Sequence, residues 1–195
     1  MEGVVYHFSH YPVLNDITIS ILLYTSLNEN YNIKIIDITK AFLESDLEED
    51  IYIHKPPGYN IVNGLTDEGN HIYKLNKEVY GLSQASKCFY RRITTFLSEN
   101  LGFEISRVDP CLMRKVSKEN NKKMFIGIYV DDMLLLGDSD MIINTNTSIK
   151  KEFELTVKDK LDEYVGSQIE FRKNSLFIHQ ITLIKILKMN FKRKF

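Results

Sequence analysis

Residues 124–137 read Met-Phe-Ile-Gly-Ile-Tyr-Val-Asp-Asp-Met-Leu-Leu-Leu-Gly, and no other stretch constrains the fold as much. Seven apolar or small residues run up to Asp131 and Asp132, and five more follow. The pattern predicts two buried strands with a pair of acids at the turn between them. An unpaired buried carboxylate is costly and tends to protonate. A divalent cation removes that cost. The alternative is an ordinary hairpin turn, but tight hairpins favour Asn-Gly or Asp-Gly, so Asp-Asp is a poor choice for that role.

A second acid sits in a similar setting. Asn32 to Ile38 is β-branched and alternating, with Ile33, Ile35, Ile36 and Ile38 around Lys34 and Asp37. It reads as a strand with an acid near its end. Neighbouring strands in one sheet would bring Asp37 to Asp131 and Asp132. Three carboxylates with no His or Cys among them favour a hard cation bound through oxygen, Mg²⁺ or Mn²⁺. Two such ions about 4 Å apart serve phosphoryl transfer by activating the attacking oxygen and stabilising the leaving one.

The remaining chain predicts an α+β domain. Asn15 or Asp16 caps a helix to about Asn28, with Ile17, Ile21 and Tyr24 on an apolar stripe widened by Leu22, Leu23 and Leu27. Core packing is expected to account for this helix. Lys40 to Glu44 reads as one helical turn. The acidic cluster from Glu44 to Asp50 reads as a solvated loop. Ile51–Ile53 and Ile72–Leu75 read as short strands around Lys55-Pro-Pro-Gly58 and a polar loop from Asn60 to Asn70. Ser83 to Leu101 is the longest helix, burying Ala85, Phe89, Ile93, Phe96 and Leu97 and ended by Gly102. Strands follow near Phe103–Ile105 and Cys111–Val116, then a polar turn from Ser117 to Lys123 into the opening stretch. Ser139 or Asp140 caps a helix to about Phe153. Tyr164–Phe171 and Leu176–Ile178 read as a hairpin turning at Lys173-Asn-Ser175. His179 or Gln180 opens a last helix.

Composition excludes some classes. A chain of 195 residues, 44% hydrophobic and 26% charged, is an ordinary globular sequence. The longest apolar run is far short of the roughly 18 residues a membrane span needs, and no signal peptide is visible. Cys88 and Cys111 lack metal-type spacing, which suits a reducing compartment. The net charge of −1 does not by itself announce a nucleic-acid binder. Residues 150–195 are the exception, with 11 basic against 6 acidic side chains. Lys185, Lys188, Lys192, Arg193 and Lys194 there could touch phosphates or line a solvated helix face.

Several blocks carry a resemblance. Tyr129-Val-Asp-Asp132 between apolar strands resembles the Tyr-x-Asp-Asp motif of reverse transcriptases. Asp37-Ile-Thr-Lys-Ala-Phe-Leu43 resembles the Asp-Val-x-x-Ala-Phe-Leu block of copia-type (Pseudoviridae) LTR retrotransposon polymerases. Asp46-Leu-Glu-Glu-Asp-Ile-Tyr52 with Pro57-Gly-Tyr59, Val79-Tyr-Gly-Leu-Ser-Gln-Ala85, Asp109-Pro-Cys-Leu112 and Tyr164-Val-Gly-x-x-Ile169 are similar to further blocks of that group, in order. A lone Tyr-x-Asp-Asp would be weak; the ordered series over roughly residues 2–190 is specific.

The resemblance implies one reverse transcriptase domain over residues 1–195. It would be a palm with an antiparallel sheet packed on helices, with partial fingers and without a thumb. Residues 1–30 and about 48–85 would be fingers, and 31–47 and about 86–160 palm. Residues 161–195 would form a primer-positioning hairpin and the start of the connection to the thumb. The implied activity is RNA-directed DNA polymerisation, with dNTPs added to a primer 3′-hydroxyl on an RNA or DNA template. Two Mg²⁺ ions, or Mn²⁺ in their place, would be the cofactors. Asp37 and Asp131 would be direct ligands, with Asp132 completing the acidic site and the Ile38 carbonyl adding a donor. Lys40 and the adjacent amides, including Ala41, would face the triphosphate. Phe42 would stack under the sugar and exclude a 2′-hydroxyl, its alternative being core packing. Gln84 would contact nucleotide or template, and Gly81 would permit close backbone approach. Tyr164, Val165 and Gly166 would position the primer or form a structural hairpin. Lys158 or Lys160 would protonate pyrophosphate. The implied partners are the rest of the Pol polyprotein, with integrase and RNase H. The implied location is inside the cell, in cytoplasmic virus-like particles or the nucleus, and off the membrane.

Departures from the pattern bear on activity. The usual Pro-Arg-x-Trp is Ser86-Lys-Cys-Phe89, a common first-helix Arg falls at Ser20, and the late Asp-Leu-Gly reads Lys160-Leu-Asp162. The family's basic finger strands would precede residue 1, and thumb and RNase H would follow residue 195. A truncated copy with no robust polymerisation of its own is therefore expected. An inactive remnant that at most binds nucleic acid or a partner is the alternative. A palm-type cyclase is a third reading, opposed by the Gly-Leu-x-Gln-Ala block.

Overall fold

The computed structural model describes residues 12–192 except 48, 55–60, 63–64, 67–71, 83, 159–160 and 174. The expectations for residues 1–11, the Lys55–Gly58 break, most of the Asn60–Asn70 loop, Ser83, Lys160, Arg193 and Lys194 lie outside the described residues. In chain order the elements are α1 (Asp16–Glu29), β1 (Asn32–Ile38), a 3-10 turn (Ala41–Glu44), β2 (Tyr52–His54), β3 (Ile61–Val62), β4 (Leu65–Thr66), β5 (Ile72–Lys74) and α2 (Ala85–Glu99). Then come β6 (Glu104–Ile105), β7 (Leu112–Val116), β8 (Lys123–Tyr129), β9 (Asp132–Gly137), α3 (Ser139–Glu152), β10 (Leu155–Lys158), β11 (Glu163–Tyr164), β12 (Ser167–Arg172), β13 (Ser175–His179) and α4 (Ile181–Lys192). Helices mixed with antiparallel sheet match the α+β expectation.

The chain forms two compact units, one holding Lys40–Thr95 and the other Pro12–Thr39 with Phe96–Phe195. Helix α1 groups with the large sheet.

The second unit is built on an antiparallel six-stranded sheet ordered β10-β1-β9-β8-β7-β6. Its central strands are nearly all apolar because both faces are covered. Ile35, Ile36, Met133, Leu134, Leu135 and Ile126 are each at most 2% exposed. Each such side chain stabilises the fold by roughly 1.5–3 kcal/mol on burial. On one face lies α3, whose Ile142, Thr145 and Ile149 are buried, with Thr145 donating to the Met124 sulfur at 3.4 Å. Phe96 packs edge-on against Phe153 on the same unit, 5.4 Å between ring centroids. The opposite face carries Leu14 and α1. A Cβ at Gly127 would stand 2.5 Å from Leu14 Cδ2, so glycine there lets the segment leading into α1 lie on the sheet.

Helix α1 begins as expected, with the Asn15 side chain accepting from the Ile17 N–H at 2.8 Å. Its buried face is only partly the expected one, since Leu22 and Leu23 are buried as expected but the Ile17, Ile21 and Tyr24 stripe is not. Ile19, Leu22, Leu23 and Ser26 point inward, whereas Ile17, Ile21 and Tyr24 are 59–69% exposed. The helix is apolar on nearly every side, so periodicity could not choose the face. Asp109 chooses it: its carboxylate accepts from the Asn15 N–H at 3.1 Å, the Thr18 hydroxyl at 2.6 Å and the Cys111 N–H at 3.0 Å.

Two more local expectations are corrected, and one strand is added to them. The N-cap of α3 is Asp138, not Ser139 or Asp140; its carboxylate accepts from the Lys123 N–H at 2.9 Å. Strand β10, too short to stand out in the sequence, extends the sheet beyond β1. Tyr164–Phe171 is two strands rather than one, folding back at Val165-Gly166 to make a β11-β12-β13 sheet. The φ angles of +49° at Val165 and +72° at Gly166 turn the chain within two residues.

In the first unit β2 pairs with β5, and β3 with β4. The acidic loop is partly bridged: Asp46 meets Lys77 at 2.7 Å and Asp50 meets Lys74 at 2.6 Å. Buried Phe42 packs on Tyr80, 4.4 Å between ring centroids. Helix α2 buries Ala85, Phe89, Ile93, Phe96 and Leu97 as expected, its last turn lying in the second unit. Gly102, at φ +70°, follows it and donates to the Ser98 carbonyl at 3.1 Å.

Candidate active site

Two acids face each other at one end of the six-stranded sheet, and a third, Asp131, stands in the adjoining turn. Asp37 stands opposite Asp132 in the β1–β9 pair, and Tyr129 stands opposite Asp132 in the β8–β9 pair. Directly opposed residues project from one face, so Asp37, Asp132 and Tyr129 share a face. The β8–β9 turn consists of Val130 and Asp131, so Asp132 opens the strand rather than sitting in the turn as expected. The Asp131 carbonyl accepts the Ile38 N–H at 3.0 Å, which ties the turn to β1. Val130 has φ +57°, a strained position for a β-branched residue. Such strain persists only where surrounding structure over-determines it. Here the paired strands on either side do so.

All three acids are half-buried. Burial holds the Asp132 carboxyl above the usual carboxylate range, and the charges of Asp37 and then Asp131 push it the same way. Lys158 acts in the opposite sense. It stands opposite Ile35, two residues along β10 from Thr156, the partner of Asp37, and so lies on the carboxylate face.

The donor set is wholly oxygen and mutually repelling, which suits a hard cation. Among the described residues no group of three or more His, Cys, Asp or Glu is gathered closely enough to hold a metal ion. The fit to a cation therefore rests on the donor chemistry and on the repulsion felt at Asp132, not on a preformed cage.

Tyr129 and Tyr164 both line a cavity of about 330 Å³ whose walls include Ile19, Ser20, Val165 and Gln180. Tyr164 is buried, Val165 half-buried and Gly166 exposed. Sequence reasoning missed this cavity, because it forms only when α1 and the β11-β13 sheet lie over the same face. It also missed the anchoring role of Asp109, whose only signal was the Asp109-Pro-Cys-Leu112 block.

The other predicted site residues lie in the first unit. Lys40 is left-handed at φ +56°, and its carbonyl accepts from the Leu43 N–H at 2.8 Å. Ala41 is fully buried and Phe42 is 7% exposed, its ring lying against Tyr80. Gly81 has φ +99° with open space where a Cβ would stand. The backbone angle, not a close approach, is what requires glycine there. Gln84 is half-buried, and its carbonyl accepts the Cys88 N–H at 3.0 Å at the head of α2. No helix among the described residues is long and apolar enough to cross a membrane.

Comparison with known proteins adds a family. Residues 1–192 match the model described as "Reverse transcriptase (RNA-dependent DNA polymerase)". The chain is 29% identical over 165 residues to the "Retrovirus-related Pol polyprotein from transposon TNT 1-94" of Nicotiana tabacum, covering 84% of this chain and 12% of that protein. It is 28% identical over 179 residues to the Pol polyprotein from transposon RE1 of Arabidopsis thaliana, covering 91% and 12%. It is 29% identical over 150 residues to the "Truncated transposon Ty1-A Gag-Pol polyprotein" of Saccharomyces cerevisiae, covering 76% and 11%. The chain thus spans about an eighth of the length of these relatives.

Proposed function

The chain belongs to the reverse transcriptase (RNA-dependent DNA polymerase) family, and on that premise we propose that its six-stranded sheet is the palm of a copia-type retrotransposon polymerase. The first unit would then contribute fingers. The reaction is in-line attack of a primer 3′-oxygen on the α-phosphorus of a dNTP, with cleavage of the bond to pyrophosphate. Positioning and charge neutralisation carry such a reaction without a covalent enzyme intermediate.

The observation that supports this reading best is the β1–β9 register, which sets Asp37 opposite Asp132. Asp37 and Asp131 would hold two Mg²⁺ ions through their carboxylates, with the Ile38 carbonyl as a further donor and Asp132 completing the charge. Bound there, the ions would activate the attacking oxygen and stabilise the leaving one. Lys40 and the Ala41 amide would receive the triphosphate. Phe42, braced by Tyr80, would lie under the sugar and disfavour a ribonucleotide. Gly81 and Gln84 would border the nucleotide and template. Of the β11–β12 turn, Val165 and Gly166 have the exposure to meet a primer, with Tyr164 turned inward. As part of a Pol polyprotein the domain would act beside integrase and RNase H inside the cell, in virus-like particles or the nucleus.

Primer extension on an RNA template by a Pol chain carrying this segment tests the reading. Extension with Mg²⁺ that is abolished by Asp131→Asn, with the melting temperature unchanged, is the expected result. Extension surviving Asp131→Asn would refute the ligand assignment. Template binding without extension by the wild-type chain would identify a silent remnant instead.

A further inference from the structure

Asp109 is 6% exposed, and its two carboxylate oxygens serve different parts of the second unit. Oδ2 accepts from the Asn15 N–H at 3.1 Å and the Thr18 hydroxyl at 2.6 Å, both at the start of α1. Oδ1 accepts from the Cys111 N–H at 3.0 Å. The Cys111 carbonyl in turn accepts the Ile128 N–H at 2.8 Å. Ile128 precedes Tyr129, which stands opposite Asp132 across the β8–β9 pair. One carboxylate therefore ties the backbone beside Tyr129 to the helix whose Ile19 and Ser20 wall the same cavity as Tyr129. Docking alone does not call for a buried carboxylate, since well-packed apolar residues hold elements together as firmly. Apolar contact is non-directional, however, whereas hydrogen bonds constrain distance and angle. Bonds from both oxygens of one planar group fix the spacing of what they join.

We propose that Asp109 is a positioning residue for the Tyr129–Asp132 turn, its carboxylate setting the spacing between α1 and the Tyr129 side of the β8–β9 hairpin. This rests on the reading of that hairpin as part of a polymerase site. Loss of the bridge lets α1 and Tyr129 shift relative to each other while the paired strands that carry Asp37 and Asp132 persist. A misplacement of about 1 Å can cost roughly a hundredfold in rate. The loss falls on the chemical step rather than on nucleotide binding, because Lys40, Ala41 and Phe42, read as receiving the nucleotide, belong to the other unit.

Single-nucleotide addition by a Pol chain carrying this segment tests the proposal, with the chain bound to a primed RNA template and mixed with dNTP and Mg²⁺ well below its melting temperature. The burst amplitude counts folded, competent sites, and the burst rate reports how well each is arranged. Asp109→Asn keeps the side chain's size but only one acceptor oxygen, so it cannot serve both α1 and Cys111. Its burst rate is expected to fall by roughly tenfold or more, with the dNTP concentration for half-maximal rate within about twofold of wild type. Thr18→Val removes the 2.6 Å bond and should slow the burst several-fold. Thr18→Ser keeps the hydroxyl and should burst at close to the wild-type rate. A lowered amplitude at unchanged rate in Asp109→Asn would leave the residue a structural anchor only and overturn the proposal. So would a weaker dNTP response at unchanged maximal rate, or equal rates for Thr18→Val and Thr18→Ser. If Asp109→Asn does not fold, the two Thr18 variants decide alone. A wild-type chain that extends no primer would remove the polymerase reading, and this proposal with it.

Discussion

Asp37 and Asp132 face each other directly across the β1–β9 pair, two acids in a position where sheets usually place opposite charges or apolar partners. Like charges opposed in this way destabilise a sheet. Neutralising one of them should therefore stabilise the metal-free chain. Asp37→Asn is expected to raise the unfolding free energy by about 0.5–1 kcal/mol in urea titrations with chelator present. Added Mg²⁺ should stabilise the wild type but not the variant. A loss of stability on Asp37→Asn without metal would mean that the carboxylate makes a structural interaction that outweighs the repulsion.

The parts of this site that were legible in the sequence are those with sharp local contrast. Strand β1 is an apolar run interrupted by an acid, and β8 and β9 are apolar runs with acids at their junction, where a charge has few structural explanations. Pairing β1 with β9 in antiparallel register then places Asp37 against Asp132. The inward face of α1 was illegible because Ile17 and Ile21 are as apolar as Ile19 and Leu22. Only the distant Asp109 distinguishes the two faces. Strand β10 was missed and β11 was merged with β12, because four and two residues carry too little periodicity to read. The role of Phe42 stayed open between stacking and core, since burial beside Tyr80 depends on an element far along the chain.

Asp109 should be a large contributor to stability although it stands outside the acidic site. It accepts three hydrogen bonds, two from the start of α1 and one from Cys111. Hydrogen bonds to charged groups are each worth about 1.5–3 kcal/mol, and the two N–H donors left behind would lose their partner. Asp109→Ala is expected to cost about 3 kcal/mol or more. Amide exchange should rise first at Asn15, next to the broken anchor. A cost below about 1 kcal/mol would show that another group docks α1.

The Cys111 thiol should behave as a buried hydrophobe rather than a reactive group. It is fully buried, with its S–H directed at the Pro12 carbonyl 3.0 Å away. Burial, reinforced by the Asp109 charge, pushes its pKa up from 9.0 to about 12. Between those two values the unfolded chain releases the thiol proton while the folded chain keeps it. This group's contribution is therefore fully present below about pH 9 and is lost as pH rises toward about 12. Urea midpoints of wild type and Cys111→Ala should converge as pH is raised from 8.5 through 10.5, because only the wild type carries the thiol. Midpoints that stay parallel would contradict the shifted thiol. Alkylation of Cys111 in the folded chain should remain slow across the same range.

Val165 offers a way to stabilise the chain. It precedes Gly166 in a two-residue turn closed by the Tyr164–Ser167 pair, and both turn residues have positive φ. That backbone suits Asn-Gly, because asparagine tolerates the left-handed region far better than a β-branched residue. Val165→Asn should relieve strain of roughly 1 kcal/mol and raise the melting temperature by a few degrees. The same reasoning applies to Val130, at φ +57° beside Asp131, but the expected consequences differ. Val130→Asn should also stabilise the fold, yet it loosens the turn that aims Asp131. In a primer-extending chain it should lower the rate, whereas Val165→Asn should change the rate less than the stability. If both variants lost stability, contacts of the two valine side chains would outweigh their backbone strain, and the turns would be packed rather than strained features.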